Sequence, residues 1–186
     1  ELVNNILDIS KIEAGRMEIK KTPVMMHSVM SELKEIFTVS ATEKKLELAF
    51  IISGNFPKII LMDELRVRQI ISNLIGNAIK YTEFGSVIVK VNSIFNRGNS
   101  NKIDLLVSVE DTGVGIIDSE KTKIFEAFYQ QLNQNISKFS GTGLGLTISY
   151  KLAEIMNGSI DLRSKAGEGT VVTLRLPDIQ IMNEDL

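Results

Sequence analysis

The run from Asp63 to Thr82 constrains the fold more than any other part of the chain. Wound at 100° per residue, it puts Val67, Ile71, Leu74, Ile75 and Ala78 on one face, a buried stripe of the usual kind. A second stripe runs beside it: Arg66, Gln69, Asn73, Asn77 and Lys80, all within about an 80° arc. A merely solvated face would favour Lys and Glu. Asn is a poorer helix former, because its side chain competes for the backbone. Two asparagines four apart and a lysine three further on therefore spend helix stability on aligned amide oxygens and one cation. Such oxygens suit Mg²⁺, which keeps several waters and bridges to phosphates. A polar surface face with two asparagines is the equal alternative on this helix alone, and the downstream glycines decide between them.

The 186 residues are enough for one domain with a core, plus an appendage. At 44% hydrophobic and 24% charged the chain is globular. A net charge of −2 makes no electrostatic case for nucleic acid or an anionic membrane. The absence of Cys excludes disulfides and thiolate metal sites, and a single histidine, His27, excludes a His-rich one. No apolar run reaches the length of a membrane span. The chain opens in mid-helix pattern without an initiator Met, which reads as a fragment of a longer protein.

Leu2, Val3, Ile6, Leu7 and Ile9 are spaced for a helix that Gly15 stops. That stripe is too short to be stable alone, and reads as the last turns of a longer helix. Met17 and Ile19 alternate weakly towards Pro23, an edge-strand pattern. Residues 28–45 are helical and 46–53 a strand bounded by Gly54 and Pro57, and Asp63 can N-cap the central helix. Strands follow over 86–95 and 103–110, with a polar hairpin turn at 96–101. A short helix spans 118–128, residues 129–140 are polar, and a helix covers 143–156. Strands at 159–164 and 170–176 close the pattern, Pro177 ending the last one, with a polar, frayed tail at 178–186. Without a βαβ rhythm, this order predicts an α+β fold: a two-layer sandwich of a mixed, mostly antiparallel sheet with helices on one face.

Five of the thirteen glycines fall in two clusters, Asp111-Thr112-Gly113-Val114-Gly115 and Gly141-Thr142-Gly143-Leu144-Gly145. The first follows a strand; the second opens a helix, where unpaired N–H groups and the positive end of a dipole can meet phosphate. The second lacks Gly-Lys-Ser/Thr, so it is no P-loop, and no βαβ unit makes the first a dinucleotide fingerprint. Asp111, at a strand end after Leu105, Leu106, Val107 and Val109, can accept the exocyclic N–H of adenine or simply cap a turn.

The order is specific: an Asn-x-x-x-Asn-x-x-Lys-Tyr helix, Asp-x-Gly-x-Gly, Phe125-Glu126-Ala127-Phe128, then Gly-Thr-Gly-Leu-Gly-Leu. Over roughly residues 22–177 it resembles the catalytic ATP-binding domain of sensor histidine kinases, in the superfamily of gyrase, heat-shock chaperone and mismatch-repair ATPases, whose fold is the Bergerat type. Residues 1–16 resemble the end of the second helix of the dimerisation and phosphotransfer domain. The implied division is 1–16 as that helix end, 17–177 as the catalytic domain and 178–186 as tail or linker.

The resemblance implies ATP and Mg²⁺ as cofactors. Asn77 is the implied Mg²⁺ ligand, and Asn73 helps position the metal or its water. Hydrolytic relatives carry Glu at that place, and Asn cannot act as a general base, so transfer fits better than fast hydrolysis. Lys80 is implied as the phosphate-contacting lysine and Tyr81 as the ring against adenine. Asp111 is implied to read adenine, in a pocket shaped by Gly113 and Gly115 and assisted through water by Thr170. Phe125 and Phe128 match a pair at the base of the ATP lid, with core packing an equal account of Phe125. Gly141, Thr142, Gly143, Leu144 and Gly145 lead the lid into its helix, with Ser140 where many relatives have another Gly. Residues 129–140 are polar enough to be mobile without nucleotide. No His-Glu or His-Asp phosphoacceptor motif is present, and His27 reads as a surface or capping residue.

The implied activity is transfer of the γ-phosphate of ATP to a histidine on a preceding helical domain, for relay to an aspartate of a response regulator or fused receiver domain. The parent is implied to be a homodimer anchored in the cell membrane, this domain lying in the cytoplasm, with no nucleic-acid partner. The alternatives are a degenerate nucleotide-binding regulatory module without phosphotransfer, and a related serine kinase or gyrase-type ATPase.

Overall fold

The computed structural model describes residues 2–96, 99–129 and 143–182. In chain order the elements are α1 (Leu2–Glu13), β1 (Thr22–Val24), α2 (Met26–Glu43), β2 (Glu47–Ile52), β3 (Ile59–Met62), α3 (Glu64–Tyr81), β4 (Ser86–Asn96), β5 (Asn99–Asp111), α4 (Gly145–Ile155), β6 (Ser159–Lys165) and β7 (Gly169–Met182). Seven strands form one sheet in the order β1-β3-β7-β5-β4-β2, with β6 also paired to β7. Among the described residues only β2 and β4 run parallel, so the sheet is mixed and mostly antiparallel, the expected α+β architecture.

β7 is the spine. One of its edges pairs with β5; along the other, residues 169–175 meet β6 and residues 180–182 meet β3. Val87, Val89 and Val91 of β4, Val107 and Val109 of β5, and Leu174 and Leu176 of β7 alternate onto the core. Val67, Ile70, Ile71, Leu74, Ile75, Ala78 and Ile79 of α3 are buried in the same core, as its apolar stripe requires. Each large apolar side chain so buried contributes about 1.5–3 kcal/mol.

The ends of α3 are held by specific groups. Asp63 is the N-cap: its Oδ1 accepts the Arg66 N–H at 3.0 Å and its Oδ2 the Lys20 N–H at 2.8 Å. At the other end the Lys44 ammonium donates to the carbonyls of Ile79 (2.7 Å), Lys80 (2.8 Å) and Thr82 (3.4 Å). A cation on these carbonyls complements the negative end of the helix dipole.

Four expectations are corrected. The last strand does not end at Pro177 but continues to Met182, so the tail expected from residue 178 begins inside the sheet. Leu176 pairs with Leu105 and Ile179 with Ile103, so one extra residue bulges out opposite Asp104. A bulge tolerates proline, since no ladder hydrogen bond is asked of its nitrogen. The Asp104 carboxylate fills the gap, accepting the Asp178 N–H at 3.2 Å and pairing with Arg175 at 2.7 Å. Second, β3 has no counterpart in the sequence reading. Third, the helix expected over 118–128 is two 3-10 turns, 118–120 and 123–125. An Asp118–Lys121 pair at 2.6 Å suits the i, i+3 eclipse of that winding. Fourth, β4 and β5 run into the polar segment expected as a turn over 96–101.

At the N-terminus, α1 is closed off by Gly15, two residues past its end, whose φ of +65° permits the Arg16 N–H to reach the Lys11 carbonyl at 2.9 Å. Ile9 and Ile12 pack on the core, whereas Val3, Ile6 and Leu7 are exposed. No helix among the described residues is long and apolar enough to cross a membrane.

Candidate active site

A cleft with a cavity volume of about 110 Å³ opens between α3, the loop after β5 and the start of α4. Its apolar walls come from Leu74, Ile116, Ile124, Leu146, Leu162 and Val172. Its polar groups come from Asn77, Tyr81, Asp111, Tyr129 and Thr170. A mostly apolar cleft with a few convergent polar groups is the usual form of a small-molecule site.

Asp111 ends β5 opposite Thr170 in the ladder with β7. Its Oδ1 accepts the Gly113 N–H at 2.8 Å. Burial pushes its carboxyl above the ordinary range, while backbone hydrogen bonds from Gly113 and Thr170 pull the other way. The loop that follows is stitched down on both sides. Val114 donates to the Tyr81 carbonyl at 3.3 Å, and Gly167 donates to the Val114 carbonyl at 2.8 Å. A Cβ on Gly113 would overlap the Tyr81 carbonyl, and one on Gly115, at φ +66°, the Lys165 carbonyl. Both positions need glycine for these approaches.

The second stripe of α3 is shared among three neighbours. Arg66 and Gln69 turn to α1: Gln69 donates to Asp8 Oδ2 at 2.8 Å, and Arg66 pairs with Asp8 at 3.4 Å. Asn73 faces α4 and donates to Ser149 Oγ at 2.9 Å. Asn77 lines the cleft. Lys80 does not line it; its ammonium lies 4.8 Å from the centroid of the Tyr81 ring, a cation–π approach.

Gly141 and Thr142, with Ser140 and the rest of 130–140, lie outside the described residues. Gly143 has φ +69°, and its carbonyl accepts the Phe128 N–H at 3.1 Å. Leu144 is fully buried in the core. Gly145 begins α4, whose first turn has no side-chain cap, leaving N–H groups for an anion. Phe125 packs on the core with its ring 5.4 Å from that of Tyr150, and Phe128 is exposed. His27 is an exposed residue in the first turn of α2 and caps nothing.

Three polar residues escaped the sequence reading. Lys44 holds the turn bearing Lys80 and Tyr81. Ser164 Oγ, on β6, accepts the Ile116 N–H at 2.8 Å and lies 2.9 Å from Thr170 Oγ1, tying the loop after β5 to β7 at the cleft. Ser149 is the partner of Asn73. Each is a common residue at an unremarkable position in the chain, so no local signal marks it.

The fold and cleft define a nucleotide-binding α+β sandwich. The chain belongs to the histidine kinase-, DNA gyrase B- and HSP90-like ATPase family, whose model matches residues 62–180. Within that family it is an ATP-binding catalytic domain of the sensor histidine kinase type, on the following likenesses. It is 35% identical over 187 residues to the sensor histidine kinase GacS of Pseudomonas protegens, covering 100% of this chain and 20% of that protein. It is 38% identical over 171 residues to the signal transduction histidine-protein kinase BarA of Escherichia coli K12, covering 91% of this chain and 18% of that protein. The crystal structure of full-length ShkA in complex with AMPPNP superposes with a TM-score of 0.84 at 32% identity, over 98% of this chain and 36% of that one. The chain thus spans about a fifth of the length of the curated relatives it matches.

Proposed function

We propose that this domain binds ATP with Mg²⁺ and delivers its γ-phosphoryl group to a histidine on a preceding helical domain, for relay to a response-regulator aspartate. The observation that carries the reading is the convergence of Asn77, Tyr81, Asp111 and Thr170 on one otherwise apolar cleft. Asp111, supported by Thr170, accepts the exocyclic N–H of adenine, and Gly113 and Gly115 keep the loop close enough for that contact. Tyr81 lies against the base. The uncapped start of α4 at Gly145 takes the phosphates, Gly141, Thr142, Gly143 and Leu144 being the further residues that the family resemblance assigns to nucleotide binding.

The donor set fits a magnesium ion held largely by phosphate and water. Among the described residues no cluster of three His, Cys, Asp or Glu side chains could hold a metal alone. Asn77 presents an amide oxygen in the cleft and is the residue that would hold Mg²⁺, which when bound supplies charge neutralisation at the phosphates. Asn73 and Lys80 complete the catalytic set: Asn73 aligns α4 with Asn77, and Lys80 swings from the Tyr81 ring to the phosphates on its flexible stem. No carboxylate stands at Asn73 to activate water, which favours transfer over hydrolysis.

Residues 1–16 read as the end of the dimerisation and phosphotransfer helix, and the exposed Val3, Ile6 and Leu7 support a further helical partner. Residues 17–177 with the strand extension to 182 form the catalytic unit. The parent on this reading is a homodimer anchored in the cell membrane, with this domain in the cytoplasm and a response regulator or fused receiver domain as partner.

The test supplies labelled ATP, Mg²⁺ and a separate helical domain bearing a phosphoacceptor histidine. Acid-labile label should appear on that domain, and Asn77→Ala should abolish it together with Mg²⁺-dependent nucleotide affinity. Wild-type Mg·ATP binding by Asn77→Ala would refute the metal assignment. Binding without any transfer would favour the regulatory module.

A further inference from the structure

Asn73 and Asn77 lie one turn apart on α3, yet they meet different surroundings. Asn77 lines the cleft, whereas both ends of the Asn73 amide are engaged by α4. Its Nδ2 donates to Ser149 Oγ at 2.9 Å, and its Oδ1 fills the space where a Cβ on Gly145 would stand. Ser149 is only 1% exposed, so no solvent competes for the contact. Ser149 lies four residues after Gly145, so both meet Asn73 from one face of α4. Gly145 is also the residue at which the uncapped end of α4 begins.

We infer that Ser149 is a positioning residue for the nucleotide site: it fixes the plane of the Asn73 amide and thereby sets the N-terminus of α4 against Asn77. This deepens the proposed function and rests on its reading of Asn73. An alanine would fill this position of a buried helix face with almost no void. The hydroxyl adds an acceptor for the Asn73 N–H. The absent Cβ at Gly145 then has two causes, backbone exposure to an anion and room for the Asn73 oxygen.

The test uses the 186-residue chain in four forms besides wild type: Ser149→Ala, Ser149→Thr, Asn73→Ala and the double variant with Ser149→Ala. Calorimetry measures binding of a non-hydrolysable ATP analogue with Mg²⁺, and ¹⁵N spectra follow the Asn73 side-chain amide in the nucleotide-free chain. Ser149→Ala fills a helix position well and leaves almost no void, so it folds. It should weaken binding about three- to tenfold, the worth of one net hydrogen bond. It should also move the Asn73 amide resonances. Ser149→Thr, which keeps the hydroxyl, should restore both. In the Asn73→Ala background Ser149→Ala should have no further effect. Weakened binding by Asn73→Ala with wild-type binding by Ser149→Ala would overturn the inference alone, as would failure of Thr to rescue or full additivity. Wild-type binding by Asn73→Ala would refute the reading of Asn73 itself and the inference with it.

Discussion

Asp111→Asn separates a base-reading carboxylate from a turn cap. The substitution keeps the shape and the oxygen that accepts the Gly113 N–H at 2.8 Å, but turns one acceptor into a donor. That donor faces either the Thr170 N–H or the amino group of adenine, and neither can receive it. The loss is one hydrogen bond to a charged group, about 1.5–3 kcal/mol, or roughly 10- to 100-fold in affinity. ATP and ADP should suffer alike, since the contact is to the base, and preference over GTP should shrink. Stability should move the other way. Burial raises the folded pKa of Asp111 above its ordinary 3.8, so its favourable contribution is complete below that value and is lost as pH rises through the folded pKa. At pH 7 the neutral Asn escapes that desolvation, and the nucleotide-free variant should be at least as stable as wild type. Wild-type affinity for nucleotide should correspondingly fall as pH drops through the same folded value, and that of the variant should stay flat. Calorimetry with ATP, ADP and GTP across this range, beside thermal unfolding, reads all of these. A variant that loses stability at pH 7 while binding ATP within twofold of wild type would refute the reasoning and leave Asp111 a turn cap.

Two further outcomes follow from backbone geometry. Gly115→Ala forces φ +66° on a residue with a Cβ aimed at the Lys165 carbonyl, so denaturant unfolding should show a loss of more than about 2 kcal/mol. Lys44→Met keeps the stem but strips the cation from three carbonyls at the end of α3. It should cost about 1 kcal/mol in unfolding and weaken nucleotide binding through the displaced Lys80–Tyr81 turn, and unchanged binding would limit Lys44 to a helix cap.

The four α-helices and the polar residue types at the cleft were legible in the sequence, whereas the winding of 118–125 as two 3-10 turns was not. Over 63–82 the apolar period, the Asp63 cap and the placement of Asn73 and Asn77 are local matters of winding and hydrogen bonding, and they survive in the structure. The glycines at 113 and 115 were legible for the same reason: a close approach excludes a Cβ whatever lies opposite. Tertiary structure alone decided what depends on residues far apart. Strand β3 and the extension of β7 past Pro177 exist because they pair with one another, residues 59–61 with 180–182. Neither segment has a local preference strong enough to announce itself, and the proline argues against one of them until the bulge at Asp104 removes its missing N–H from the ladder. The polar stripe of α3 reads as one face, but α1, α4 and the cleft divide it, because each amide or cation is assigned by the neighbour that reaches it. Ser149, Ser164 and Lys44 stayed silent for that reason. A hydroxyl or an ammonium carries no direction in a sequence; only packing decides which acceptor or donor it meets.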